Sequence, residues 1–141
     1  DRSAAVNSGC GSAAVNSGYM SAAVNSGSSS AAVNSGYMSA AVNSGYGSAA
    51  VNSGESSAAM NSGDRSAAEV TGTESVAISL GIDGCAKAAK GSWITLAEWK
   101  MDENHKWHRI DVKTAYVDGV IIKADTFYVL KEGKFTEKKG N

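Results

Sequence analysis

Residues 21–45 read SAAVNSGSSSAAVNSGYMSAAVNSG, three copies of one heptapeptide set nine residues apart, and this spacing decides the fold. The same heptapeptide stands at 3–9, 12–18 and 48–54. A near copy at 57–63 carries Met60 in place of valine, and degenerate copies follow at 66–72 (SAAEVTG) and 75–81 (SVAISLG). Strict phase of this kind marks a repeat architecture rather than a flexible Ser/Gly linker, which has no reason to keep register.

Glycine once per nine residues, beside Asn and Ser, argues against a helix. A strand of four or five residues followed by a turn fits. In SVAISLG the alternation is explicit, with Val76, Ile78 and Leu80 on one face and Ala77 and Ser79 on the other. Carried back to the first copy, Ala4, Val6 and Ser8 share a face and Ala5 and Asn7 the opposite one. The expectation is an all-β parallel solenoid with small Ala, Val and Ser side chains inside and glycine supplying a positive φ at each corner. One strand cannot bury its apolar face alone, so successive coils must stack. Tyr19-Met20 and Tyr37-Met38 lie eighteen residues apart, which favours about two nonapeptides per coil. That gives about four and a half coils and a rod on the order of 20 Å long. Stacking would place Asn7, Asn16, Asn25, Asn34, Asn43, Asn52 and Asn61 in structural amide ladders along the rod.

The character changes towards the C-terminus, dividing the chain into a repeat solenoid over 1–91 and a C-terminal β-hairpin cap over 92–141. The phase is expected to end after Gly84, with a last strand over 92–99 (SWITLAEW). Asp118-Gly119, flanked by 109–117 and 120–122, reads as a hairpin turn. Glu132-Gly133, flanked by 127–130 and 134–136, reads as a second. The resulting small antiparallel sheet would cover strand edges that an open solenoid leaves unpaired.

SVAISLG, the small-residue run 85–91 and SWITL together resemble the head repeats of YadA-like trimeric autotransporter adhesins. That resemblance implies a β-roll, association of three chains and an adhesive role; the nine-residue period departs from the longer adhesin coil. The stretch 108–135, with IDVKTAYVDGVIIKADTFYVLKEGKF, is similar to a small uncharacterised domain found behind Ser-Ala-Ala repeats in gut-bacterial and phage-encoded proteins.

The chemistry-bearing residues point to a non-catalytic role. Of 13 basic and 14 acidic residues, only Asp1, Arg2 and Glu55 precede Asp64, so the rod carries no basic stripe and no nucleic-acid partner is expected. No apolar run is long enough for a membrane span. Cys10 and Cys85 match no metal or redox spacing and leave the compartment unknown, with an extracellular or virion surface favoured. The chain begins inside the repeat without methionine, as a piece of a longer protein would. His105 and His108 lie near Asp102, Glu103 and Asp111, but their spacing matches no zinc signature, so no metal and no cofactor are expected. The copies lack the aspartate of calcium-binding nonapeptides, and no GxSxG elbow occurs.

What remains is a structural or adhesive repeat module, part of a phage or bacterial surface fibre. The variable corner pairs would offer an exposed binding strip of Tyr19, Met20, Tyr37, Met38 and Tyr46. Its expected partners are a further copy of the chain or a surface glycan or protein. The alternative is a small ligand-binding protein working through its C-terminal sheet with Trp99, Trp107 and His108.

Overall fold

The computed structural model describes residues 2–139. Among the described residues the chain runs through fourteen strands and no helix. Strands β1 (Ala4–Asn7), β2 (Ala13–Asn16), β3 (Ala22–Asn25), β4 (Ala31–Asn34) and β5 (Ala40–Asn43) follow at nine-residue intervals. The series continues through β6 (Ala49–Asn52), β7 (Ala58–Asn61), β8 (Ala67–Val70), β9 (Val76–Ser79) and β10 (Cys85–Ala88). Longer strands follow, β11 (Trp93–Met101) and β12 (Trp107–Tyr116), then the short β13 (Tyr128–Lys131) and β14 (Lys134–Glu137).

Odd strands stack in one parallel wall, β1-β3-β5-β7-β9-β11, and even strands in the other, β2-β4-β6-β8-β10. Ala4 pairs with Ala22 and Ala22 with Ala40, so one coil takes eighteen residues and two nonapeptides. The molecule is a two-walled β-solenoid of about five turns, with antiparallel strands at its C-terminal end.

The interior is not the one the alternation suggested. Ser, the second Ala, Asn and Gly point inward, while the first Ala and Val point out. Ala23, Ala32, Ala41, Ala50, Ala59, Ala68 and Ala77 are fully buried, whereas Val6 stays 75% exposed. Small Ser, Ala and Gly side chains let the two walls pack closely, and the larger Asn is accommodated there because its amide bonds across them. The degenerate copies carry the missed signal. Glu69 and Lys87 occupy the valine position and pair across adjacent strands at 3.2 Å, as only an outward position permits.

Glycine also has a different task. The positive φ falls on the second residue of the variable pair, at Met20, Ser29, Met38, Ser56, Arg65, Glu74 and Asp83 (52–55°), and at Gly11 and Gly47. The repeat glycines are needed for close stacking instead. A Cβ on Gly27 would stand 2.6 Å from the Gly9 carbonyl carbon, and one on Gly54 2.7 Å from that of Gly36. The corners are bonded along the rod as well, for example from Met20 N–H to the Tyr37 carbonyl (3.0 Å) and from Gly47 N–H to that of Asp64 (2.9 Å).

The nine-residue phase survives past Gly84, since Cys85 still pairs with Ala67 eighteen residues earlier. It slips by one residue at the next coil, where Trp93 pairs with Val76. The core then becomes apolar, with Val70, Ile94, Leu96, Val117, Ile122, Tyr128 and Leu130 buried.

β12 folds back antiparallel on β11 through the loop 102–106, where Asp102 Oδ1 accepts the N–H groups of Asn104 and Lys106. The hairpin expected at Asp118-Gly119 is therefore not formed. Asp118 Oδ1 instead accepts the N–H groups of Val120, Ile121 and Ile122, closing a turn that buries Ile122. A carboxylate satisfying three successive donors competes with strand pairing, and β12 already has a partner in β11. The hairpin at Glu132-Gly133 is present, joining β13 and β14 with both turn residues at positive φ. The two hairpins do not form one small sheet. β12 extends the odd wall, and β13-β14 extend the even wall.

Candidate functional site

The corner positions divide between two edges of the rod. One edge carries Tyr19-Met20, Tyr37-Met38, Glu55-Ser56 and Thr73-Glu74; the other carries Cys10-Gly11, Ser28-Ser29, Tyr46-Gly47, Asp64-Arg65 and Ile82-Asp83. Tyr46 consequently lies across the molecule from the other four residues of the expected strip. Tyr19 and Tyr37 stack with ring centroids 5.6 Å apart at 14°, so the facing sides of both rings are used against each other. Met20 and Met38 project beside them and wall a shallow groove whose floor is Ser21, Ala22, Ser39 and Ala40. The opposite edge has a matching groove past Gly11, Ser29 and Gly47, where small residues leave it unwalled.

The asparagines stack in register, Asn7 on Asn25 on Asn43 and Asn16 on Asn34 on Asn52. Their amides bond to backbone rather than to one another, which corrects the expected amide ladder. Asn43 Oδ1 accepts from Gly45 N–H (2.8 Å), while Nδ2 donates to the carbonyls of Ser30 (3.2 Å) and Ala49 (3.0 Å) on the facing wall. Each interior asparagine thus closes its own turn and ties the two walls together, satisfying groups that the narrow interior hides from water. The hydroxyl ladder belongs to serine. Ser39 Oγ accepts Ser21 N–H (3.0 Å) and Ser57 Oγ accepts Ser39 N–H (3.0 Å). Near the C-terminal end Val70 and Ser79 occupy the asparagine position, and Ser79 Oγ is buried without a hydrogen-bond partner among the described residues.

The C-terminal residues separate too. Trp107 and His108 are exposed on β12, and His108 Nε2 lies 2.6 Å from Asp102 Oδ2. The N–H of Lys106, then His108 and the N–H of Asn104, hold the Asp102 carboxyl below the usual carboxylate range. Among the described residues no group of three or more His, Cys, Asp or Glu side chains gathers as a metal site would require.

Trp99 is placed differently. Its Nε1 donates to the Leu80 carbonyl (2.9 Å), and the Arg109 guanidinium lies over its ring at 4.7 Å. So held, the indole walls a cleft of about 580 Å³ where the two sheets part, with Leu130 and Val129 on the other side and Arg65 and Lys138 at the rim. Sequence reasoning named Trp99 but missed its cleft partners. Arg65 belongs to a corner pair, and only the coil geometry shows which edge it occupies.

Comparison with known proteins finds no matching family model, curated protein or solved structure. The class defined by the geometry is a two-walled β-solenoid repeat protein. No helix among the described residues is long and apolar enough to cross a membrane.

Proposed function

We propose that this chain is a non-catalytic structural or adhesive module of a surface fibre, its solenoid acting as spacer and display surface. One observation carries the reading. In the five copies from Ser21 to Gly63 Ser, Ala, Asn and Gly are consumed by stacking, as Ser48, Ala50, Asn52 and Gly54 are, so variation among these copies is confined to side chains that face outward. A rod of this kind gains length by whole coils without altering its cross-section. The variable edge with Tyr19, Met20, Tyr37 and Met38 is the proposed contact for a surface glycan or protein, and the likeness to adhesin heads adds association of three copies. Arrays of glycans and surface proteins probed with the full chain test the reading. Binding that falls on Tyr19→Ser and Tyr37→Ser supports it; no ligand, together with cytosolic location, contradicts it.

A second reading is favoured by the Trp99 cleft, whose volume falls in the range of small-molecule sites. Here the C-terminal strands bind a ligand and the rod merely presents them. Ligand binding that survives the tyrosine substitutions but not Trp99→Ala separates the two.

A further inference from the structure

Five charged residues reach the cleft between the parted walls: Arg65, Lys131 and Lys138 against Asp83 and Glu98. Glu98 is already engaged, its Oε2 and Oε1 accepting the N–H groups of Glu132 and Gly133 at 2.9 Å each. Among the described residues neither Arg65 nor Lys131 is in an ion pair, and Lys138 Nζ has only the Cys85 sulfur at 3.7 Å. Three cations thus face two carboxylates, and both oxygens of Glu98 are already turned to backbone N–H groups. Arg65 and Lys138 also border the groove that descends the same edge of the rod, so they stand where groove and cleft meet. Within this charged rim the lining is apolar, with Leu130, Val129 and Ala97 beside the Trp99 indole. The indole is fixed by its bond to Leu80 and by Arg109, so ordering it on binding costs little.

We propose that this cleft binds a small amphipathic anion, its aromatic body against Trp99 and Leu130 and its acidic head between Arg65 and Lys138. The proposal rests on the ligand-binding reading of the C-terminal strands and gives that reading its ligand class. Arginine offers a carboxylate, sulfonate or phosphate a planar pair of donors, and lysine adds a mobile point charge. An amphipathic anion is the chemistry that uses the rim cations and the apolar lining at once.

The test titrates the full chain with two probes of similar aromatic body, the anionic anilinonaphthalene sulfonate and the neutral phenylnaphthylamine. Binding is followed by fluorescence and by backbone NMR shifts at Trp99, Leu130 and Lys138. The expected result is saturable one-to-one binding of the anion that weakens with ionic strength. Arg65→Gln and Lys138→Gln should each weaken it about tenfold, the scale of one charge-assisted hydrogen bond. Both side chains are exposed, and unchanged melting of the variants separates lost binding from lost fold. Lys131→Gln serves as a second rim variant should Lys138→Gln disturb the packing at Cys85. Equal affinity for both probes, or an anion affinity unmoved by these variants, overturns the anionic assignment and leaves the ligand-binding reading standing. Binding of neither probe overturns both.

Discussion

Gly27 rests directly on Gly9: a Cβ at Gly27 would stand 2.6 Å from the Gly9 carbonyl carbon, and the contact recurs at each coil down to Gly81 on Gly63. The contact leaves no room for a side chain, and it has a sharp control two residues further along the same repeat. Gly45 lies on Gly27, whereas Gly47 has φ +63° and nothing within 4 Å of an added Cβ. Gly45→Ala should destabilise by on the order of 4 kcal/mol, because backbone must move. Gly47→Ala should cost only about 1 kcal/mol, the penalty of a left-handed non-glycine residue. Urea unfolding of the two variants checks the difference.

Asparagine at the wall-to-wall position should be as costly to lose. Asn43→Ala leaves the buried Gly45 N–H without its acceptor and takes one donor from each of the Ser30 and Ala49 carbonyls, of which Ser30 keeps the Ala49 N–H, a loss of roughly 3 kcal/mol. Asn7, in the first coil, makes two of these bonds and is partly exposed, so Asn7→Ala should cost less. The converse holds at Ser79, whose hydroxyl is buried and unbonded among the described residues. Ser79→Ala should raise stability by about 1 kcal/mol. Melting curves of the three variants read all of this out.

Acid should loosen the C-terminal loops first. Asp102 is held below the ordinary carboxylate range chiefly by Lys106 N–H, and Asp118 chiefly by Val120 N–H. A folded pKa below the unfolded value means that the stabilisation is complete above the usual carboxylate pKa of about 3.9 and is lost as pH falls through the depressed folded values. Amide protection at Lys106 and Val120, taken against the intrinsic exchange rate at each pH, should therefore fall in that acid window. Asp118→Asn should remove the pH dependence at Val120 alone.

The two thiols should react at very different rates. Cys10 is exposed at a corner, while Cys85 is buried and its thiol is pushed up by burial, against the opposing pull of Lys138. A disulfide reagent at neutral pH should modify one thiol quickly and the second only as the fold opens. Two equally fast thiols would contradict the burial of Cys85.

Much of this architecture was legible in the sequence, because a solenoid is written one coil at a time. The nine-residue phase gave the strands, and the recurrence of Tyr-Met after eighteen residues gave the coil, seen directly in the Tyr19–Tyr37 stack. Which face turned inward was not legible from hydrophobicity. Valine is the more apolar residue, yet the narrow gap admits alanine, and Asn25 and its counterparts are buried because they bond both walls. Glu69 and Lys87 at the valine position held that information. The Asp118 turn was misread as a hairpin because Asp-Gly is a strong signal for one; what decided otherwise was the three-donor clamp of its side chain. The Trp99 cleft depends on residues from 65 to 138 meeting across two walls, and no local pattern carries such a meeting.

The coil itself admits the most direct test. Ser26, Ser35, Ser44 and Ser53 are exposed and occupy the same position in four consecutive copies. In a chain with Cys10→Ser and Cys85→Ala, pairs of cysteines at these serines would be joined by a short thiol cross-linker. Two nonapeptides per coil predict that Ser26→Cys with Ser44→Cys links readily, since these positions directly follow adjacent strands of one wall about 4.8 Å apart. Ser26→Cys with Ser35→Cys, on facing walls, should not link. Efficient linking of Ser26→Cys with Ser53→Cys in place of the Ser44 pair would mean three nonapeptides per coil and would contradict the two-walled rod.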